Sequence, residues 1–163
     1  MKGYARKLGD YINTDEHASE KYLPAGMPLG EVQKQMFSSL RPNFTALVQP
    51  GDFIVAGKAF GTVSPRVDAA INIKEIGIRA VIAKSFGMLF FRNAINVGLP
   101  CIECDTEGIL DGDTLTVDLS LGTISIAAET TVDFTPFPQV IMELLNDGGL
   151  LPHIKKNKGY AFL

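Results

Sequence analysis

The sequence predicts a single α/β domain in which a partly parallel sheet runs on into a barrel-like antiparallel part, with helices along its flank. Three observations carry that expectation. Residues 53–104 read strand, helix, strand, helix, strand, the order expected of parallel strands joined by right-handed crossovers. Residues 111–129 alternate apolar and polar about Leu121-Gly122, which is hairpin patterning. The 163-residue length suits one domain, taken as residues 1–163, with chain enough to bury a core.

Each element has its own local reason. "GEVQKQMFSSL" sets Val32, Met36 and Leu40 four apart and stops before Arg41-Pro42, a short amphipathic helix. "RPNFTALVQPGD" is a second short helical piece closed by Pro50-Gly51. "FIVAG" is continuously apolar with a glycine stop, as a strand buried on both faces should be. "RVDAAINIKEIG" puts Ala69, Ile73 and Ile76 on one helical face and ends at Gly77. "IRAVIA" is a second buried strand. "KSFGMLFFRNAINVG" is a helix from Ser85, read as its N-cap, to Gly98. "LPCIEC" is a third strand. "FPQVIMELLNDGG" is a closing helix with Pro138 near its first turn and Gly148-Gly149 beyond it. Of the N-terminal stretch, "GDYINTDEHAS" reads as a strand end and a polar loop. "HIKKNKG", near the other end, reads as a solvated tail.

Composition removes several functions. Apolar residues make up 46% and charged residues 20% of the chain, and the formal charge is −3. That balance disfavours nucleic acid or an anionic membrane as the main partner. No apolar run is long enough to span a bilayer, and "MKGYARKLGDYINTDEH" is too polar for a secretory signal. A cytoplasmic protein is expected. Cys101 and Cys104 form a C-x-x-C in "GLPCIECDTEG", a spacing that can serve redox chemistry or metal. On a strand, residues three apart face opposite ways. The two histidines, His17 and His153, lie far off in sequence. The cysteines are therefore read as structural, with no metal bound by this chain.

The chemically suggestive stretch is "FGTVSPRVDAA", residues 60–70. Ser64 with Pro65 after it fits an N-cap and a first helical residue. Equally, Ser64 and Arg66 could act on an anion, since a guanidinium fork makes paired bonds to a carboxylate. A helix N-terminus there would favour negative charge. The two roles are compatible in one residue.

The chain resembles the small subunit of the aconitase superfamily, the swivelling domain of 3-isopropylmalate dehydratase and its homoaconitase-like relatives. The stretches that carry the resemblance are "NTDEH", "VQPGDFIVAGKAFG", "GIRAVIAKSFGMLFFRNAINVGLP", "EGILDGDTLTVD" and "LLNDGGLLPHIKKN". It implies a swivelling β/β/α domain of a hydro-lyase that dehydrates and rehydrates a 2-hydroxy dicarboxylate. It also implies a large-subunit partner holding a cubane iron–sulfur cluster. By the same resemblance Ser64 is the base, Arg66 holds a substrate carboxylate, and Asp15 in "NTDEH" orients groups around the site. His17 beside it is read as a solvated loop histidine. Lys21, Tyr22, Leu23 and Pro24 fall in the specificity loop, where the absence of arginine favours a compact or apolar side group. The family's opening turn is glycine, two serines, arginine and glutamate; here Val63-Ser64-Pro65-Arg66-Val67 keeps one serine and the arginine. The losses point to altered substrate preference or a paralogue without strong activity. The expected substrate is 3-isopropylmalate, with dimethylmalate, citramalate, malate or homoaconitate as related alternatives and a non-catalytic binding partner as the third reading.

Overall fold

The computed structural model describes residues 1–19, 28–63, 65–127 and 130–157. Strand β1 (Lys2–Lys7) is followed by helices α1 (Thr14–Ala18), α2 (Leu29–Gln35) and α3 (Phe44–Leu47). Next come β2 (Phe53–Ala56), α4 (Asp68–Glu75), β3 (Ala80–Ala83), α5 (Met88–Asn96) and β4 (Cys101–Glu103). The chain then runs through β5 (Thr114–Asp118), β6 (Thr123–Ile126), β7 (Thr130–Asp133), α6 (Gln139–Asn146) and α7 (Leu150–Lys156).

All seven strands lie in one mixed sheet of order β4-β3-β2-β1-β5-β6-β7. β1 to β4 are parallel neighbours, with Ala5 opposite Phe53, Val55 opposite Ile82 and Ile82 opposite Ile102. On its other side β1 pairs antiparallel with β5, Gly3 opposite Leu115, and the meander continues to β7. The strand–helix–strand reading of residues 53–104 and the hairpin at Leu121-Gly122 hold. β1 itself was not legible: "KGYARK" carries little apolar signal, and its place in the sheet depends on partners far along the chain.

Alternation across the strands divides the core. Ile54, Ala56, Val81, Ala83 and Cys101 face the helices, where Phe37, Phe44, Phe60, Ile73 and Phe90 pack on them. Phe53, Val55, Ala80, Ile82 and Ile102 face the other way and meet Leu115, Val117, Ile124 and Phe134. Side chains from both halves of the sheet share this second cluster. The sheet therefore curls over its own inner face as a half-barrel, burying that face without a second layer of helices.

Several local readings are corrected. "NTDEH" is not loop: Asn13 accepts the Asp15 amide at 3.0 Å and caps α1. Leu40 lies beyond the end of α2 and is exposed. Gly87, not Ser85, stands at the N-cap of α5, and the Ser85 hydroxyl instead accepts the Ala59 amide at 2.9 Å. The basic C-terminal stretch forms α7, in which His153 is buried and its Nδ1 lies 2.7 Å from the Asp147 carboxylate. A neutral tally of charges could not foresee that the Asp147 carboxylate would draw in both His153 and Lys156.

One buried ion pair fixes β1 to the chain entering β2. Asp52 is 1% exposed. Its carboxylate accepts the Tyr4 amide at 3.0 Å, the Gln49 amide at 2.9 Å and Arg6 Nε at 2.6 Å. Asp52→Ala would strand the Arg6 charge and two amides, so it should lower unfolding free energy by about 3–5 kcal/mol in urea titrations. Asp52→Asn, which keeps one acceptor oxygen but turns an NH2 group toward the remaining donors, should cost less than Asp52→Ala.

Candidate active site

Four parallel strands place their carboxyl ends, and the loops that follow, at one edge of the sheet. Open α/β sheets gather their ligand sites there. The loops after β1, β2 and β3 are tied by backbone hydrogen bonds. Tyr11 donates to Lys58 at 2.7 Å and Gly61 to Ile12 at 2.9 Å; Phe60 donates to Ser85 at 3.0 Å and Gly87 to Phe60 at 2.8 Å. Asn13 and Thr62 form an isolated parallel bridge. "NTDEH" and the turn at residues 60–67, some fifty positions apart in sequence, are thus brought together by the fold.

Two glycines allow the loop after β2 to lie against the segment after β3. Gly61 sits at φ +78° with its α-carbon against the Phe90 ring, and Gly87 packs directly on the Gly61 carbonyl. A side chain at Gly87 would push the two loops apart, and one at Gly61 would collide with Phe90. Below them Phe60, Phe86 and Phe90 form an aromatic floor, with ring centroids 5.1 Å apart for Phe60 and Phe90 and 6.2 Å for Phe60 and Phe86.

Asp15, in the first turn of α1, is 3% exposed. Arg66 is exposed beyond the turn, just ahead of α4. Ser64 lies outside the described residues, as do Lys21, Tyr22, Leu23 and Pro24. The helix that follows is set later than the sequence suggested. α4 begins at Asp68 with Val67 at its N-cap and no side-chain cap. Pro65 is therefore not its first residue, and the reading of Ser64 as the cap of this helix fails. The reason is local: Asp68 is the acid that serves the first turn, its Oδ1 accepting the Ala69 amide at 2.9 Å.

Several residues that hold this region were not singled out in the sequence. Asn93, on α5, donates from Nδ2 to the Pro65 carbonyl at 3.1 Å and so anchors the turn. The Ser19 hydroxyl donates to Asp68 Oδ2 at 2.7 Å, and buried Asn72 donates to the Ala18 carbonyl at 3.0 Å. These bonds lock α1, which carries Asp15, onto α4. Asp68 had a legible signal: an acid one place beyond the position of the missing glutamate. Asn72 and Asn93 had none, because a polar residue on a helix declares no partner until the helices pack.

Val63 stands where the family pattern has glycine, in a backbone conformation that glycine adopts freely. Its φ is +77°, strain of about 1–3 kcal/mol for a β-branched residue. Cys101 and Cys104 do fall on opposite sides of the sheet, each with its thiol pushed up by burial, Cys104 to about 11 with help from the Asp105 charge. Neither suits a thiolate ligand set with the other, and among the described residues no three His, Cys, Asp or Glu side chains converge on one point. No helix among the described residues is long and apolar enough to cross a membrane.

Comparison with known proteins agrees with this architecture. Residues 29–107 match the aconitase C-terminal domain family. The 3-isopropylmalate dehydratase small subunit 2 of Archaeoglobus fulgidus is 42% identical over 158 residues, covering 96% of each chain. The chain belongs to the family of 3-isopropylmalate dehydratase small subunits. The small subunit of Methanosarcina mazei is 43% identical, covering 96% of this chain and 97% of its own. The crystal structure of a 3-isopropylmalate dehydratase from Methanocaldococcus jannaschii superposes with a TM-score of 0.87 at 41% identity, over 96% of this chain and 94% of that one. The swivelling-domain fold expected from the resemblance is the fold observed.

His17, read as a solvated loop histidine, is a partly buried residue in the last turn of α1 with Nδ1 3.0 Å from the Ser39 hydroxyl. Burial lowers its pKa below 6.5, against an opposing pull from Glu16. A histidine with a depressed folded pKa takes up more protons when unfolded. Its stabilising contribution is complete above 6.5 and drains away as pH falls through the folded value. The His17 NMR titration should have its midpoint below 6.5, and His17→Gln should flatten the loss of urea stability between neutral and mildly acidic pH.

Proposed function

We propose that this chain is the small subunit of a hydro-lyase that dehydrates and rehydrates 3-isopropylmalate, acting with a large subunit. The observation that carries the reading is likeness to dehydratase small subunits over nearly the whole chain, 96% of it in the relative from Archaeoglobus fulgidus. The joining of "NTDEH" to the turn at residues 60–67 supports placing the site at the carboxyl edge of the parallel strands.

Membership of the aconitase superfamily implies an iron–sulfur cluster on the large subunit, which would engage the substrate's hydroxyl and a carboxylate when bound. The residues described in this chain do not fit such a cluster. Their work is with the substrate's proton and carboxylates. In our reading Ser64, as an alkoxide, removes the proton from the carbon next to a carboxylate. The electron pair left behind forms the double bond as the hydroxyl departs from the neighbouring carbon. Water then adds in the opposite sense, with Ser64 returning the proton. Arg66 holds a carboxylate through paired charge-assisted bonds. Asp15, buried behind the turn, orients the groups around it.

Pro65 removes a hydroxyl that could donate to the substrate, worth about 1.5–3 kcal/mol for a bond to a charged group. Val67 leaves α4 without a side-chain cap. Asp68 takes up the service of the first turn, so the loss of the glutamate need not unravel the site. This favours an active subunit over a non-catalytic partner.

The assembled enzyme, assayed across 2-hydroxy dicarboxylates, tests the reading. Ser64→Ala should lower kcat by several orders of magnitude with little change in Tm, now that the cap of α4 lies at Val67. Arg66→Lys should chiefly raise KM, and Pro65→Ser should lower it. Unaltered turnover in Ser64→Ala would end the assignment of the base.

The loop residues Lys21, Tyr22, Leu23 and Pro24 are proposed to select the substrate's side group. Pro24→Arg should shift the kcat/KM ratio toward a substrate with a further distal carboxylate by about tenfold or more, a gain of about 1.4 kcal/mol or more in relative transition-state binding. An unchanged ratio would remove these residues from specificity.

A further inference from the structure

The parallel strands have a second edge, at the amino ends of β1 to β4, and a cavity of about 520 Å³ lies there. Gly51, Gly77 and Gly98 stand ahead of β2, β3 and β4 and give it backbone alone. The ends of α4 and α6 and the turn after β5 close around it through Lys74, Leu145 and Leu119. The cavity is thus at the other end of the strands from the loops that carry Asp15 and Arg66. Its volume is within the range of small-molecule sites.

Two kinds of side chain line this space. Ile78, 2% exposed, and buried Pro100 form an aliphatic wall with half-buried Leu119 and Leu145. Lys74 and Arg79 are cationic, and among the described residues no Asp or Glu lines the cavity. Lys74 Nζ donates to the Val97 carbonyl at 2.6 Å and the Gly148 carbonyl at 3.2 Å, at the ends of α5 and α6. Helix C-termini carry partial negative charge, and this ammonium answers it. Arg79 is placed differently. Its amide donates to the Asp52 carbonyl at 2.8 Å, while among the described residues no hydrogen bond or ion pair engages its guanidinium. A fork of N–H donors beside an aliphatic wall matches a carboxylate on a short hydrocarbon tail. One unengaged guanidinium suits one carboxylate.

We propose that this cavity binds a small aliphatic monocarboxylate, its carboxylate on Arg79 and its tail against Ile78, Pro100, Leu119 and Leu145. The site does not depend on the reaction assigned above. Lys74 adds a second positive charge without leaving its two carbonyls. The ligand joins the entry turns of three strands to the end of α6, so its binding stabilises the folded chain.

The test titrates the purified full-length chain with 4-methylpentanoate by calorimetry, with thermal melting in parallel. Saturable binding with a Kd of about 1 mM or tighter is expected, and Tm should rise with ligand concentration. Acetate, which lacks the tail, and the amine of the same carbon skeleton, which lacks the carboxylate, should bind about tenfold more weakly or worse. Arg79→Gln should weaken binding about tenfold or more and leave the Tm of the free chain unchanged. Leu119→Asp, which sets a carboxylate on the wall, should weaken binding to a similar degree. Lys58→Gln, on the loop after β2 at the other edge, should leave it unaltered. Absence of saturable binding overturns the proposal. Equal affinity for the amine, or wild-type affinity in Arg79→Gln, overturns it too, leaving an apolar groove without carboxylate recognition. Tighter Arg79-dependent binding of 3-isopropylmalate would give the cavity to a dicarboxylate and overturn the monocarboxylate assignment.

Discussion

β1 must satisfy two neighbouring strands of opposite sense, and the rest of the molecule is arranged around that requirement. One edge of the strand pairs parallel with β2 and the other antiparallel with β5. A parallel pair cannot close with a tight turn, so the chain between β1 and β2 has to be long; here it holds α1, α2 and α3. That obligatory detour supplies "NTDEH". The Asp52 carboxylate, taking Arg6 and the Tyr4 and Gln49 amides, sets the register at which the detour returns. The register in turn decides which residue of each loop stands beside its neighbour at the carboxyl edge.

The site inherits its geometry from this arrangement rather than from any one motif. Gly61 and Gly87 let two loops touch through their backbones, and Asn13 bridges Thr62 from the third. Ser19 and Asn72 bind α1 to α4, while Asn93 holds the Pro65 carbonyl from α5. Each of these bonds is worth only about 1 kcal/mol net. Together they tie α1 to α4 and the Pro65 carbonyl to α5. Val63 departs from this economy. It holds a φ of +77° with its side chain exposed.

Strong local signals were read correctly. The apolar runs at β2 and β3 and the alternation at β5 and β6 follow from burial on two faces or one, which sequence periodicity records directly. The resemblance singled out "NTDEH" and the 60–67 turn, and the fold brings the two stretches together through the Asn13–Thr62 bridge. The errors cluster where a polar segment's structure is decided by distant partners. "KGYARK" is a central strand because β2 and β5 lie on either side of it. "TDEHA" is helical because Asn13 caps it and α4 receives it. "HIKK" is helical with a buried histidine because Asp147 reaches Nδ1.

The sequence by itself determined the α/β class, the order of the central elements, the family, and the residue types available for holding a carboxylate and moving a proton. These are properties of periodicity and of ordered motifs along one chain. Only the tertiary structure decided that α4 starts at Asp68, that Cys101 and Cys104 part to opposite clusters, and that Asn13 bridges Thr62. Such facts depend on side chains and backbones far apart in sequence meeting at a few ångströms, and that proximity arises only when the parallel strands align.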